Sequence, residues 1–296
     1  MANSLREVKQ RITSTKNTAQ ITKAMYMVSS SKSKKAVKNY NNYQDFMQRK
    51  ATLVKNVIYK AEDYVHPLMD IREINNTCYL LITSDRGLAG AYNQNIYKAL
   101  ETRMVELKQT KDNVICGAIG KQGYGYLNRK SYKMIFENRT LIRDDVMFID
   151  ILPIARKCIQ AFLNKEIDEL VIVYNHYINS LTQEVVFKQL LPINSIEKEE
   201  SKIDYVYENG VEKTLDSLLP MYIEDMIYGY ILDAKASEHS ARMNSMRNAT
   251  DNASEVIDDL QLLYNSARQS QITTELIDII SGANAIGGEN QWMEKY

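Results

Sequence analysis

Two glycine-bearing stretches have the composition of ligand loops. Ser84-Asp85-Arg86-Gly87-Leu88-Ala89-Gly90 follows a short apolar run and precedes a helical pattern, the position at which open α/β sheets bind ligands. Gly117-Ala118-Ile119-Gly120-Lys121-Gln122-Gly123 sets glycine beside lysine, as a phosphate cradle does. Neither completes the chemistry. A dinucleotide site needs G-x-G-x-x-G, and a triphosphate loop needs G-x-x-x-x-G-K followed by a hydroxyl that holds Mg²⁺; both spacings are absent. Glycine suits tight turns whether or not a ligand is present, so structural turns are the favoured reading. A nucleotide-binding α/β enzyme is the rival.

The remaining reactive side chains are scattered. His66, His176 and His239 are far apart, and no cysteine stands at metal-ligand spacing to them. There is no G-x-S-x-G nucleophile turn, and no two carboxylates are marked as sharing a pocket. Cys78, Cys116 and Cys158 each sit inside an apolar run and are odd in number, which reads as buried free thiols in a reducing compartment. No catalytic residue and no metal site is assigned.

The elements that position these loops are more distinctive. Residues 230–281 contain no glycine or proline, and an unbroken helix there would run about 75 Å. Met246, Ala249, Ala253, Val256, Leu260, Leu263, Ala267, Ser270, Thr274 and Ile277 recur at three- and four-residue steps, the seam one helix offers another. Gly282 reads as its stop, and Gly287-Gly288 should end any continuation. Residues 2–66 are equally free of breakers until Pro67. Leu5, Val8, Ile12, Thr15, Ala19, Thr22, Tyr26, Ser29, Ser33, Ala36, Tyr40, Tyr43 and Met47 form a matching seam that continues through Val54, Val57 and Ala61. Hydroxyls in such a seam allow close approach and weaken it unless they find partners.

Between the two lie the apolar runs Thr77–Thr83, Asn113–Ile119 and Glu169–Tyr174, alternating with helical patterns at Asn93–Lys108 and Phe148–Asn164. This predicts βαβ units and a mostly parallel sheet. Glu184–Leu191 and Ile203–Tyr207 read as further strands, and Gly210 and Pro220 mark the return to helix. The expected architecture is an antiparallel coiled coil of the N- and C-terminal helices with an inserted Rossmann-like α/β domain. Its divisions are 1–66 (first helix), 67–209 (α/β foot), 210–286 (second helix) and 287–296 (tail).

The 296 residues carry no formal net charge, so bulk charge selects no partner. Its distribution is polarised: residues 1–60 are rich in lysine and arginine against only Glu7 and Asp45, and acid gathers around residues 197–225. A nucleic-acid-binding coiled coil is thereby raised, but the lysines surround the helix and no stacking motif accompanies them. A protein-facing cationic surface is the better reading. No apolar signal core opens the chain, and no stretch has the length and hydrophobicity of a membrane span.

The motifs themselves resemble one family. The opening Ile12-Thr-Ser-Thr-Lys16-Asn17-Thr18-Ala-Gln-Ile21-Thr22-Lys23-Ala24-Met25, the loop SDRGLAG with Asn93, SEHSAR at 237–242, and Tyr264-Asn265-Ser-Ala-Arg268-Gln269-Ser-Gln-Ile272-Thr273 are similar to γ subunits of F-type ATP synthases, in order and over nearly the whole chain. The resemblance implies a non-catalytic rotor shaft that couples the rotation of an ion-driven ring to ATP synthesis or hydrolysis on β subunits. Implied partners are the α and β subunits of a hexameric head, the ε subunit and the c-subunit ring, with membrane contact only through partners, at the cytoplasmic face of the cell membrane. Implied cofactors are none on this chain, Mg-ATP and Mg-ADP being held by the partner subunits.

Carried onto this sequence, the resemblance implies that Arg268, Gln269 and Thr273 form the catch with β-subunit loops. Lys23 and Met25 would meet the acidic lever loops, and Glu238 and Arg242 would serve the lower shaft. Tyr205, Tyr207 and Glu208 would contact the c-ring, and Ser84, Asp85, Arg86, Gly87 and Gly90 would form a foot loop. Ala89 and Ala91 depart from the family's more usual Cys and Gly without threatening the turn. Exposed charge pairs are worth under about 1 kcal/mol each, so many weak lysines suit a shaft that must not stick. A rotor of an F-type-like ATPase driving transport or motility stands as the alternative.

Overall fold

The structure is a computed structural model that describes residues 2–61, 64–136, 144–193, 207 and 210–293. Helix α1 runs over Ala2–Lys60 and α5 over Val211–Met293. Between them lie β1 (Thr77–Ile82), α2 (Tyr92–Glu106), β2 (Val114–Ile119), α3 (Lys121–Arg129), β3 (Lys133–Met134), α4 (Phe148–Leu163), β4 (Glu169–Tyr177) and β5 (Gln183–Leu191). Two compact units result, residues 1–26 with 246–296, and residues 27–245.

The larger unit is built on a five-stranded sheet of order β3-β2-β1-β4-β5. Its first four strands are parallel, and β5 returns antiparallel to β4. Every residue of β1 and β2 is buried, because both faces of the sheet are covered, and that is why these strands read as continuous apolar runs. One face carries Cys78, Leu80 and Ile82 against α4, the end of α1 (Val54, Val57, Ile58) and the start of α5 (Leu215 to Leu232). The other carries Tyr79, Leu81 and Cys116 against α2 and α3. The three cysteines are free and buried as expected, and burial pushes the Cys116 and Cys158 thiols up to about 12.

Within this unit α1 and α5 pack antiparallel: partners descend in α5 as they ascend in α1, from Ser33–Ser240 through Tyr43–Asp225 to Tyr64–Asp216 just beyond the end of α1. The seam hydroxyls do find partners. Ser33 Oγ and Ser240 Oγ, both buried, lie 2.8 Å apart. In the smaller unit the Thr250 hydroxyl donates to that of Thr22, also at 2.8 Å.

The α1 seam matches the sequence pattern throughout, but the α5 seam does not. Past Ala253 the inward positions are Ile257, Leu260, Tyr264, Ala267, Gln271 and Thr274, while Val256, Leu263, Ser270 and Ile277 are exposed. On a helix with 3.6 residues per turn, steps of three and of four from a shared residue fall to either side of it on the same face, about 100° apart. Hydrophobicity chose one side and the partner helix occupies the other. Nor does Gly282 stop α5, which keeps helical geometry there and through Gly287-Gly288 to Met293. A helical glycine costs only about 1 kcal/mol, and no proline follows to force an end. Pro220 likewise lies inside α5, which begins directly after Gly210.

Two elements escaped the sequence pattern, the glycine-containing α3 and the two-residue β3. The expected strand at 203–207 lies, except for Tyr207, outside the described residues.

Entry into β1 is fixed by Asp168, whose Oδ2 accepts from the Asn75 and Asn76 amides at 3.0 and 2.9 Å and whose Oδ1 accepts from Arg72 Nε at 2.6 Å. Burial opposes ionisation of this carboxyl, yet the two amides and the guanidinium outweigh it and hold the carboxyl below its ordinary value. The lowered value stabilises the fold above the unfolded-state pKa near 3.8, and this contribution is lost as pH falls through the folded one. Asp168→Asn is therefore expected to lower stability by about 2 kcal/mol at pH 7. Urea unfolding at a series of pH values should show the difference shrinking below about pH 4.

Candidate functional site

The loop 84–90 is held from three directions. Ser84 N donates to Asn93 Oδ1 (3.0 Å), and the Ser84 hydroxyl donates to Arg86 O (2.7 Å), closing the turn on itself and on the first turn of α2. From α5, Arg242 Nη2 donates to Arg86 O (3.1 Å) and Arg242 Nε to Gly87 O (3.4 Å). Leu88 at φ 63° and Gly90 at φ 59° supply the left-handed residues of the turn.

The second glycine stretch faces this loop rather than a ligand. The amides at the start of α3, where a phosphate would bind, are already used. Lys121 N donates to Asp85 Oδ1 (2.8 Å), Gln122 N to Ser84 O (3.1 Å), and Gly123 N to Thr83 Oγ1 (2.9 Å). Asp85 supplies the negative charge that a helix N-terminus favours. The amides of Lys121, Gln122 and Gly123 are thus taken up by the Thr83–Asp85 segment.

Glu238 and Arg242 are buried rather than outward-facing. Glu238 Oε1 accepts from Arg242 Nη2 (2.9 Å) and Oε2 from Lys235 Nζ (3.2 Å). Asp144 joins from the turn before α4: Lys32 Nζ donates to it at 2.5 Å, and His239 Nε2 and Lys235 Nζ lie 3.5 and 3.9 Å away. Burial opposes ionisation of Asp144, but Lys32, His239 and Lys235 together keep its carboxyl below the ordinary value. Burial also lowers the His239 pKa. Six residues before His239, Asp233 accepts from the Tyr177 amide (2.8 Å) and sits 2.6 Å from His176 Nδ1.

Sequence reasoning named Glu238 and Arg242 but missed Asp233, Lys235 and Asp144, the groups that complete this buried polar spine. The signal was the dense small residues Ala234, Ala236, Ser237, Ser240 and Ala241, which let a helix sink into its surroundings and carry polar neighbours with it.

In the smaller unit, Arg268, Gln269 and Thr273 are exposed on α5, and Lys23 is exposed on α1. Met25 is half-buried. The Thr273 hydroxyl donates to Gln269 O one turn back (2.9 Å). From the Thr22–Thr250 pair, the start of α1 falls opposite about residue 270 of α5. Beyond this α5 has no α1 residue to face, and residues 275–285 are all exposed, among them Leu276, Ile277, Ile279 and Ile280.

Tyr207 packs half-buried against the core of the larger unit, whereas Tyr205 and Glu208 lie outside the described residues. Among the described residues no group of His, Cys, Asp and Glu side chains has metal-binding geometry, and no helix is long and apolar enough to cross a membrane.

Comparison with known proteins places the whole arrangement. The family described as ATP synthase matches residues 4–286. An ATP synthase gamma chain from an Exiguobacterium species is 40% identical over 283 residues, covering 96% of this chain and 99% of that one. The rotor of Euglena gracilis mitochondrial ATP synthase superposes with a TM-score of 0.68 at 16% identity, over 92% of this chain and 100% of that one. The central stalk of the Tetrahymena thermophila mitochondrial enzyme gives 0.58 at 24% identity, over 77% and 99%. These two likenesses concern the fold, and the match in sequence carries the assignment: the chain belongs to the ATP synthase gamma chain family.

Proposed function

We propose that this chain is the central rotor shaft of an F-type ATP synthase and has no catalytic site of its own. The observation that carries the reading is the end of α5. A single helix extends past its partner with Leu276, Ile277, Ile279 and Ile280 exposed, and Arg268, Gln269 and Thr273 lie outward just before it. Bare aliphatic side chains on a lone helix mark a surface that another protein covers. A sleeve of α and β subunits fits both the apolar end and the polar catch. The asymmetric shaft favours a different opening of each β subunit at each angle, so rotation shifts nucleotide affinity by population shift.

Nucleotide and Mg²⁺ would be bound by the β subunits. The self-satisfied amides of α3 and the loop 84–90 support that division of labour. Lys23 and Met25 would meet acidic loops of β, while Tyr205, Tyr207 and Glu208 would meet the c-ring, with ε on the α/β foot. Glu238 and Arg242 would act by fixing the foot loop to the shaft rather than by touching another subunit. The chain would reach the cytoplasmic face of the cell membrane only through these partners.

The test is the double substitution Arg268→Ala with Gln269→Ala in the reconstituted complex. ATP synthesis and ATP-driven ion pumping should fall several-fold while thermal unfolding of the isolated chain stays within about 0.5 kcal/mol of wild type, both side chains being exposed. Unchanged coupling would overturn the role given to this catch.

A further inference from the structure

Where α1, α5 and the β4–β5 hairpin meet, they line a half-open cavity of about 310 Å³. That is near the lower bound for sites that hold small organic ligands. Four tyrosines line it: Tyr40 from α1, Tyr174 from β4, and Tyr222 and Tyr230 from α5. Met47 and Met226 complete the apolar wall, and Met47 lies directly against the α5 backbone because residue 229 is glycine.

The polar groups are unevenly distributed. Asp233 lies at the inner end, 1% exposed, bonded to the Tyr177 amide and His176. The hydroxyls of Tyr40 and Tyr174 lie in the field of the same carboxylate. Aromatic faces attract cations through their quadrupole. The Tyr222 and Tyr230 hydroxyls make no hydrogen bond to any described residue and remain available to an occupant. Of the cationic groups in the lining, Lys188 is exposed, and the His176 side chain, 38% exposed, reaches from solvent to within 2.6 Å of Asp233. The buried wall thus holds one paired carboxylate, ring faces and thioether sulfur, which together suit a soft cation better than an anion or a neutral amide.

We propose that this cavity binds a small organic cation, an ammonium group on an apolar body of about ten heavy atoms, seated among Tyr174, Tyr222 and Tyr230 with its charge toward Asp233. The walls come from both long helices and the sheet, so the ligand stiffens their junction and raises the melting temperature of the chain. This site is separate from the rotor reading, and its test does not depend on assembly.

The full-length chain is titrated with benzyltrimethylammonium, N-benzylacetamide and phenylacetate, followed by saturation-transfer NMR and thermal unfolding. The cation is expected to saturate with a dissociation constant on the order of millimolar, with the neutral and anionic probes about tenfold weaker or worse. Gln48→Trp, at an exposed position on the α1 side of the mouth, should weaken the cation about tenfold without moving the melting temperature of the free chain. Tyr222→Leu provides the same loss through the wall, should the first variant melt early. Absence of saturable binding, equal binding of the three probes, or binding indifferent to both variants would overturn the proposal.

Discussion

Gly120→Ala is expected to destabilise the α/β unit by at least about 3 kcal/mol, the largest loss from any single methyl added to this chain. Gly120 sits at φ 105°, where a side chain is strained whatever the space around it. Space is also lacking. A Cβ there would overlap the carbonyl oxygen of Thr83 and stand 2.8 Å from its carbonyl carbon and 2.9 Å from its Oγ1. Thr83 cannot withdraw cheaply, because its amide donates to Ile119 O at 2.8 Å and its hydroxyl accepts from the Gly123 amide at 2.9 Å. A shift would break the register of β1 with β2 and uncap α3 together. Gly87→Ala is the control, since nothing lies within 4 Å of its Cβ position and its φ is not left-handed. Urea unfolding of both variants should show Gly120→Ala with a much lower midpoint and Gly87→Ala within about 0.5 kcal/mol of wild type. A nearly wild-type midpoint for Gly120→Ala would mean that the two loops are not mutually locked.

The same contacts explain what the sequence could and could not disclose. Buried parallel strands are apolar at every position, so β1, β2 and β4 were legible as runs. The α1 seam was legible because its residues recur at three- and four-residue steps with no breaker before Pro67. The α5 seam was only half legible, since Val256 and Leu263 are apolar although they are exposed, and Ile277 lies beyond the reach of α1. Hydrophobicity records burial against any partner, including one in another chain, and cannot say which. Helix α3 was illegible because Gly123 and Gly125 lower its helix propensity. Gly123 is required by Thr83, against whose hydroxyl an added Cβ would stand 2.6 Å away. The outward positions of Arg268, Gln269 and Thr273 follow from periodicity, whereas the inward turn of Glu238 and Arg242 depends on the loop at 84–90, more than a hundred residues distant. Local pattern carries no information about such a pairing.

Asp233→Ala is expected to cost about 3 kcal/mol, through stranded donors rather than a lost cavity wall. Asp233 joins three elements. Its oxygens take the Tyr177 amide and His176 from β4, and the hydroxyls of Tyr174 from β4 and Tyr40 from α1 lie in its field. Alanine leaves the Tyr177 amide without its acceptor, an uncompensated cost of about 1–3 kcal/mol, and loosens α5 from both neighbours. Asp233→Asn keeps the shape and one acceptor, so it should lose less. The pH dependence separates this carboxylate from Asp168. Burial is the largest influence on Asp233 and raises its carboxyl above the unfolded-state value of 3.8, despite the hydrogen bonds that oppose it. A raised carboxyl pKa means that the folded chain binds the proton more tightly than the unfolded chain does. The contribution of Asp233 to stability is then greatest below the unfolded pKa and declines as pH rises through the folded one. The margin of wild type over Asp233→Asn should therefore widen on acidification toward pH 4, whereas the margin over Asp168→Asn narrows. Paired urea titrations at pH 7, pH 4 and pH 3 check both signs, and margins that move in the same direction between pH 7 and pH 3 would refute the opposite settings assigned to the two carboxylates.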